Sequence, residues 1–325
     1  MQDPYDEIEW SSVHRLHSIN HEHTFGANRD GWAWGNENEP GPRRRFQTLY
    51  DRGIRHFALS NYYPSKPTYP LRAFFSDVPA DAIGCPNAEH ATPTGHFCSV
   101  GSTFATHPET YDGSWGELFD DILGALQFPN GGGVVINHPR RSDIGFETSR
   151  ELLAYDPRVL GIEVWNHRGV VLPKYRARGN ATALWDELLS AGIHTFGFFN
   201  PDYHRAWDCP RAGSLARGRN ILLVDETTEE AAGRAYREGR FYGALDGSGL
   251  AFERIETTGR TVTIETNQPA AIQFISRGET LRTTWSTATA YTIEDVYPYV
   301  RIEAHDDTGE RIFSQPIVTE TSSAC

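Results

Sequence analysis

Gly131-Gly132-Gly133-Val134-Val135-Ile136-Asn137-His138-Pro139 holds the pattern on which the fold turns. A glycine run stops the chain, three β-branched residues extend it, and a His-Pro step follows at once. The run is too short for a helix and reads as a buried strand. Before it, Trp115 to Phe128 carries apolar residues at helical spacing (Leu118, Ile122, Leu123, Leu126). After it, Ser149 to Tyr155 reads as a helix. Leu160 to Trp165 is a strand ending at Asn166-His167, and Ala181 to Ala191 is an amphipathic helix stopped by Gly192. Ile193 to Phe199 is a further strand, and it ends at Asn200-Pro201-Asp202-Tyr203-His204.

The same grammar runs outward in both directions. Val13 to Ile19 is a strand that ends in Asn20-His21-Glu22-His23. Arg44 to Arg52 reads as a helix with Gly53 as its stop, and Ile54 to Leu59 as a strand entering Ser60-Asn61-Tyr62. Residues 65–100 are proline-rich, with short strands at 82–84 and 96–100. Ile221 to Val224 and Thr227 to Glu238, closed by Gly239, give a last strand and helix. Repeated strand-then-helix units imply an α/β fold on a parallel sheet, and about seven of them favour a barrel over an open sheet. From about residue 250 the pattern is short, alternating and helix-free, with turn signals at Thr258-Gly259, Arg277-Gly278 and Asp307-Thr308-Gly309. It reads as a small antiparallel β-sandwich. The expected organisation is therefore a barrel over residues 1–247 and an accessory β domain over 248–325.

Composition narrows the function. Against 30 Lys and Arg stand 43 Asp and Glu, a formal charge of −13, which argues against nucleic acid as a partner. No apolar run approaches the ~18 residues of a membrane span, and the acidic start MQDPYDEIEW lacks the apolar core of a signal peptide. Four cysteines with no CxxC pair read as free thiols in a reducing cytoplasm.

The 13 histidines are placed rather than scattered. His21, His23, His138, Asp202 and His204 all follow a strand directly. In a parallel barrel such positions converge on one mouth. Residues two apart on a strand face one side, so His21 with His23, and Asp202 with His204, are paired donors. Imidazole nitrogen with carboxylate oxygen suits Zn, Mn or Fe. His56, His194 and His305 fall inside strand patterns and read as structural.

These motifs, with Gly161-Ile162-Glu163-Val164-Trp165-Asn166, resemble the PHP (polymerase and histidinol phosphatase) superfamily over about residues 12–245. The tail ending Gly309-Glu310-Arg311-Ile312-Phe313-Ser314-Gln315-Pro316-Ile317 is similar to the β domain of its carbaryl-hydrolase-like group. The resemblance implies a distorted (β/α)7 barrel with up to three divalent metals at its mouth. It assigns His21, His23, Glu89, His96, His138, Asp202 and His204 as ligands, with His90 the competitor of Glu89. A carboxylate at 89 can bridge two metals, as an imidazole cannot. Two departures reduce the expected number to one or two metals: Ser60-Asn61-Tyr62 stands where Thr-Asp-His is usual, and Asn28 where an acid follows the HxH, unless Asp30 serves.

The chemistry expected is hydrolysis of a small anionic substrate by a metal-activated water, in the first place of a phosphoester. Arg140 and Arg205, each beside a ligand motif, are the anion binders, while Arg141 is expected to pair with surface acids. His167 and Tyr62 are the proton donors, and Glu163 orients a ligand or holds an outer metal. An amide, ester or carbamate hydrolase on the same metals is the alternative, and a non-catalytic carbohydrate-binding protein ranks last.

Overall fold

Strand β1 (His14–Ile19) and helix α1 (Pro40–Asp51) begin an alternation that runs to residue 245. The computed structural model describes residues 2–23, 40–61, 69–74, 77–104, 106, 113–175, 178–202, 217–245 and 249–319. Next come β2 (His56–Phe57), α2 (Leu71–Phe74), β3 (Ile83–Gly84), β4 (Glu89–Ala91) and β5 (His96–Val100). Then follow α3 (Trp115–Gly124), β6 (Gly133–Asn137), α4 (Phe146–Leu153), β7 (Val159–Asn166) and α5 (His167–Val171). The alternation closes with α6 (Thr182–Ser190), β8 (Phe196–Asn200), β9 (Arg219–Val224), α7 (Glu229–Glu238) and β10 (Phe241–Leu245).

Local chemistry explains the helix ends. Ser114 and Glu117 form a reciprocal capping box at the start of α3, which buries Leu118, Phe119, Ile122 and Leu123. The Thr228 side chain accepts from Ala231 N–H at the start of α7, beside Glu229 and Glu230. Gly239 stops α7 with φ +71, a left-handed conformation that a side chain resists. Such caps each contribute about 1 kcal/mol.

Strand direction departs from the parallel arrangement that the alternation implies. β1–β2–β3 and β6–β7–β8 are parallel, but β9 lies antiparallel to β1, and β5 lies antiparallel to both of its neighbours, β4 and β6. The reason is the connection at 92–95: Thr92 N–H donates to Gly95 O at 2.9 Å, closing a tight hairpin. A hairpin reverses the chain, whereas a parallel pair needs a long crossover. β5 therefore runs backward, and its first residue, His96, sits opposite Asn137 at the end of β6.

Two sheets result, β4-β5-β6-β7-β8 and an eleven-stranded sheet that contains β9-β1-β2-β3. The larger one continues through β10 into the C-terminal strands β11 (Phe252–Thr258), β12 (Thr261–Ser276), β13 (Glu279–Thr292), β14 (Tyr299–His305), β15 (Arg311–Ser314) and β16 (Ile317–Val318). The join is the antiparallel pair β10–β15, Tyr242 to Leu245 against Ser314 to Arg311. Within this part β12 is a single strand of 16 residues, longer than the short strands that the alternating pattern implies.

The C-terminal strands also grip the elements beneath them. Gln315 accepts from Gly197 N–H at 2.8 Å and donates to Gly197 O at 2.9 Å, imitating a neighbouring strand for β8. Asp186 of α6 accepts from Arg301 Nε at 2.7 Å, Arg301 Nη2 at 2.8 Å and Tyr299 Oη at 2.7 Å. Among the described residues no helix is long and apolar enough to cross a membrane, and Cys85 and Cys98 are free and buried.

Candidate metal centre

The second and fourth residues after β1, the first of β4 and the second after β8 bring their side chains to one buried point. His21 Nε2 lies 3.3 Å from Glu89 Oε1 and 3.2 Å from Asp202 Oδ1. His23 Nε2 lies 3.1 Å from Glu89 Oε2 and 3.7 Å from Asp202 Oδ1. These four residues offer ligand atoms all within 4.8 Å of one another, and so do Glu89, His96 and His138. In the second group Glu89 Oε1 lies 2.9 Å from His96 Nδ1 and 3.2 Å from His138 Nε2. Glu89 alone belongs to both groups, and it is 1 % exposed.

The backbone is bent to reach this arrangement. His138 has φ +29 and Asp202 φ +53, conformations that cost non-glycine residues energy and cluster at functional sites. Asp202 N–H donates to His21 O at 3.0 Å, tying the end of β8 to the end of β1. Glu89 N–H donates to Ser60 O at 3.1 Å, and Ser60 N–H to Glu22 O at 2.9 Å. Glu22 itself turns away from the point and accepts from Arg45 Nη1 of α1 at 2.5 Å.

The donor set fits a divalent cation. Glu89, Glu163 and Asp202 are buried carboxylates within one hydrogen-bonded cluster, and buried charge of one sign requires a compensating partner. His21 Nε2 and Glu89 Oε2 are buried, close together with their neighbours, and make no hydrogen bond. Burial opposes a charge on His21, yet Asp202, Glu163 and Glu89 outweigh it and raise its pKa well above the ordinary value. Glu89 is held well below the carboxylate range by His21 and His96 against the effect of burial. His138 is pushed down to about 4 by burial and by Arg141, so it stays neutral and able to ligate.

A second layer aims these ligands. Glu163 accepts from His21 Nδ1 at 3.0 Å through Oε1, and from His138 N–H at 2.8 Å through Oε2. The first bond leaves His21 Nε2 facing the cluster. Asn166 Nδ2 donates to Glu163 Oε2 and to Asp202 Oδ2, both at 2.9 Å. Asn137 Nδ2 donates to Glu89 Oε1 at 3.3 Å and to Cys98 Sγ at 3.2 Å. Glu163→Gln keeps the size of the side chain and removes its charge, so metal affinity is expected to fall by about 10- to 100-fold. Competition with a chromophoric chelator measures this, and unchanged affinity would show Glu163 to be idle.

Other residues singled out in the sequence lie elsewhere. Arg140 is exposed and donates to Asn180 O at 2.9 Å. Its neighbour Arg141, expected on the surface, instead bonds Asp202 Oδ2 and, at 3.2 Å, Asn166 Oδ1. His90 is 2.9 Å from Ser99 Oγ and stacks on Phe104, outside both donor groups. His167 opens α5, buried and pushed down to about 4 mainly by burial, and Asn61 is buried; neither belongs to a donor group. Asn28, Asp30, Tyr62, His204 and Arg205 lie outside the described residues. Sequence reasoning put Arg141 on the surface and gave Asn137 and Asn166 no role of their own. One signal was available: asparagine is the last residue of β6, β7 and β8 alike.

Two buried histidines away from the centre set a pH response. His56, 2.6 Å from Ser18 Oγ, and His90 are both pushed down to about 3 by burial. Unfolding frees them to protonate at about 6.5. Each therefore contributes stability that is complete above pH ~6.5 and is lost as pH falls toward their folded values, at about 1.4 kcal/mol per pH unit. Urea midpoints at pH 7 and pH 5 should differ accordingly. A smaller drop is expected in His56→Gln than in the parent chain.

No family model matches the chain, and no curated protein matches it. Among solved structures, a two-domain protein from Bacteroides vulgatus ATCC 8482, containing a predicted PHP-like metal-dependent phosphoesterase, is similar in part. It is 14 % identical, with a TM-score of 0.49, over 95 % of this chain and 96 % of that one. His21, His23, Glu89, His96, His138 and Asp202, six of the seven residues singled out as ligands in the sequence, lie together in the two buried donor groups.

Proposed function

We propose that this protein is a metal-dependent hydrolase, a phosphoesterase acting on a small anionic substrate. The observation that carries the reading is Glu89, shared between two groups of ligand atoms in a buried cluster. A bridging carboxylate between two imidazole-rich sites suits a pair of Zn, Mn or Fe ions. His21, His23, Glu89 and Asp202 would hold one ion, and Glu89, His96 and His138 the other, with His204 completing the set. A bound divalent ion supplies Lewis acidity to a substrate oxygen and acidifies water.

The chain's own residues supply the rest. Glu163 and Asn166 keep ligand atoms in place, and Arg141 holds one oxygen of Asp202 so that the other stays aimed at the cluster. Arg205 remains assigned to the substrate's charge and Tyr62 to proton delivery; Arg140 is held on Asn180 O and His167 is kept neutral by burial, so neither is given a role. We read the two sheets as walls of a distorted (β/α)7 barrel over residues 1–247, with 248–325 as an accessory β-sandwich. The backbone bonds from Asp202 to His21 and from Glu89 to Ser60 support this, since they link the sheets at two places. A cytoplasmic setting and no nucleic-acid partner complete the reading.

The test is phenyl phosphate hydrolysis by protein purified with Zn, Mn or Fe, alongside elemental analysis. Turnover that follows metal content and disappears in Asp202→Ala is the expected result. Turnover of phenyl acetate or an aryl carbamate with none of the phosphate would replace phosphoester by carboxylic ester or carbamate. Protein that binds no metal would overturn the proposal.

A further inference from the structure

Three cations gather around one tyrosine beside the cluster. From the Tyr175 ring centroid, Arg141 Cζ lies at 4.0 Å, Lys174 Nζ at 4.7 Å and Arg168 Cζ at 5.7 Å. The face of the ring attracts each of them, but like charges this close repel one another. The chain that does this carries a formal charge of −13 and only two lysines, one of them Lys174. From Asn166 to Asn180 it has four basic residues and no acid. Lys174 is exposed and has no ion pair among the described residues, and Arg141 Nε is buried without an acceptor.

This lip is bonded to the donor cluster. Arg141 spends Nη1 on Asp202 and Asn166. Arg168 N–H donates to Pro201 O at 3.1 Å, and Gly169 N–H to Asn166 Oδ1 at 2.8 Å. A ligand held at the cluster is therefore within one side chain of concentrated positive charge.

We propose that Arg141, Lys174 and Arg168 on Tyr175 form a binding site for a second oxyanion of the substrate, a carboxylate or phosphoryl group separate from the ester that is cleaved. The proposal deepens the phosphoesterase reading and rests on it. The preferred substrates are then phosphoesters whose leaving group is itself anionic.

The probes are phenylphosphonate, 4-carboxyphenylphosphonate and benzene-1,4-bisphosphonate, which cannot be hydrolysed, titrated calorimetrically into the metal-loaded protein. A second anionic group is expected to tighten binding by about tenfold or more, and the two probes that carry one tell carboxylate from phosphoryl preference. Lys174→Glu and Tyr175→Leu should bring them back toward phenylphosphonate. Arg150→Glu, at an exposed arginine on α4 paired with Glu147, should retain the preference despite the same change in charge. Equal or absent binding of the three probes, or a preference undiminished in Lys174→Glu, would overturn the second-anion site. Failure to hydrolyse phenyl phosphate with the preference intact counts against the phosphoesterase reading alone. Turnover without the preference counts against the lip alone.

Discussion

Glu89→Gln is expected to lower phenyl phosphate turnover by about two to three orders of magnitude and to leave at most one metal ion bound. The glutamine keeps the size and burial of the side chain but loses the charge that both donor groups share. Glu89 faces four imidazoles, those of His21, His23, His96 and His138, at 2.9–3.3 Å. No other described residue takes part in both groups. Removing one charged group from a preorganised buried site costs about 10²- to 10³-fold in rate. Elemental analysis and turnover should fall together, while far-ultraviolet circular dichroism stays unchanged. Full metal content in the glutamine variant would remove the bridging role and with it the two-metal reading. The same measurement on His90→Gln provides the contrast, because His90 points to Ser99 and should leave metal content intact.

Arg301→Ala is expected to destabilise the protein by about 3–5 kcal/mol, the cost of leaving buried acids without their cation. Arg301 is 2 % exposed and bonds Asp186 twice and Glu303 once, at 2.6–2.8 Å. Its guanidinium also lies 5.1 Å from the Trp185 ring. Without it Asp186 retains Tyr299, and Glu303 retains the half-exposed Arg311. Neither replaces a buried guanidinium. Urea denaturation of the single variant and of Arg301→Ala/Asp186→Ala should differ, the double variant regaining part of the loss. A shift below about 1 kcal/mol in the single variant would mean that the acids find other compensation. Because Asp186 sits on α6, packed between β7 and the C-terminal strands, the variant also reports how firmly those strands are attached.

Much of the site was legible locally. His21 and His23 share a strand face by parity, and His138 and Asp202 each follow an apolar run. Glu89 was a different matter. Nothing local separates Glu89 from His90, since adjacent strand residues point to opposite faces and either face could be inward. The pairing of Glu89 with Cys98, and of His96 with Asn137, settles it by fixing the register of β4 and β5. Arg140 and Arg141 pose the same problem in a turn. The left-handed backbone at His138 sets the path of that turn, Arg140 faces Asn180, and Arg141 reaches Asp202.

The sequence by itself marked His21, His23, His138 and Asp202 as candidate donors, with the strands that carry them and the helices between. Strand parity, apolar spacing, caps and glycine stops act over a few residues, and those are written in order along the chain. Only the tertiary structure decided the direction of β5 and β9, the shared position of Glu89, the double duty of Glu163 and the gathering of Arg141, Arg168 and Lys174 on Tyr175. It also decided that β15 pairs with β10, so that the C-terminal strands continue the larger sheet. Each of these depends on partners far apart in the chain. Hydrogen-bond register and the compensation of buried charge select such partners, and neither is a property of a local stretch.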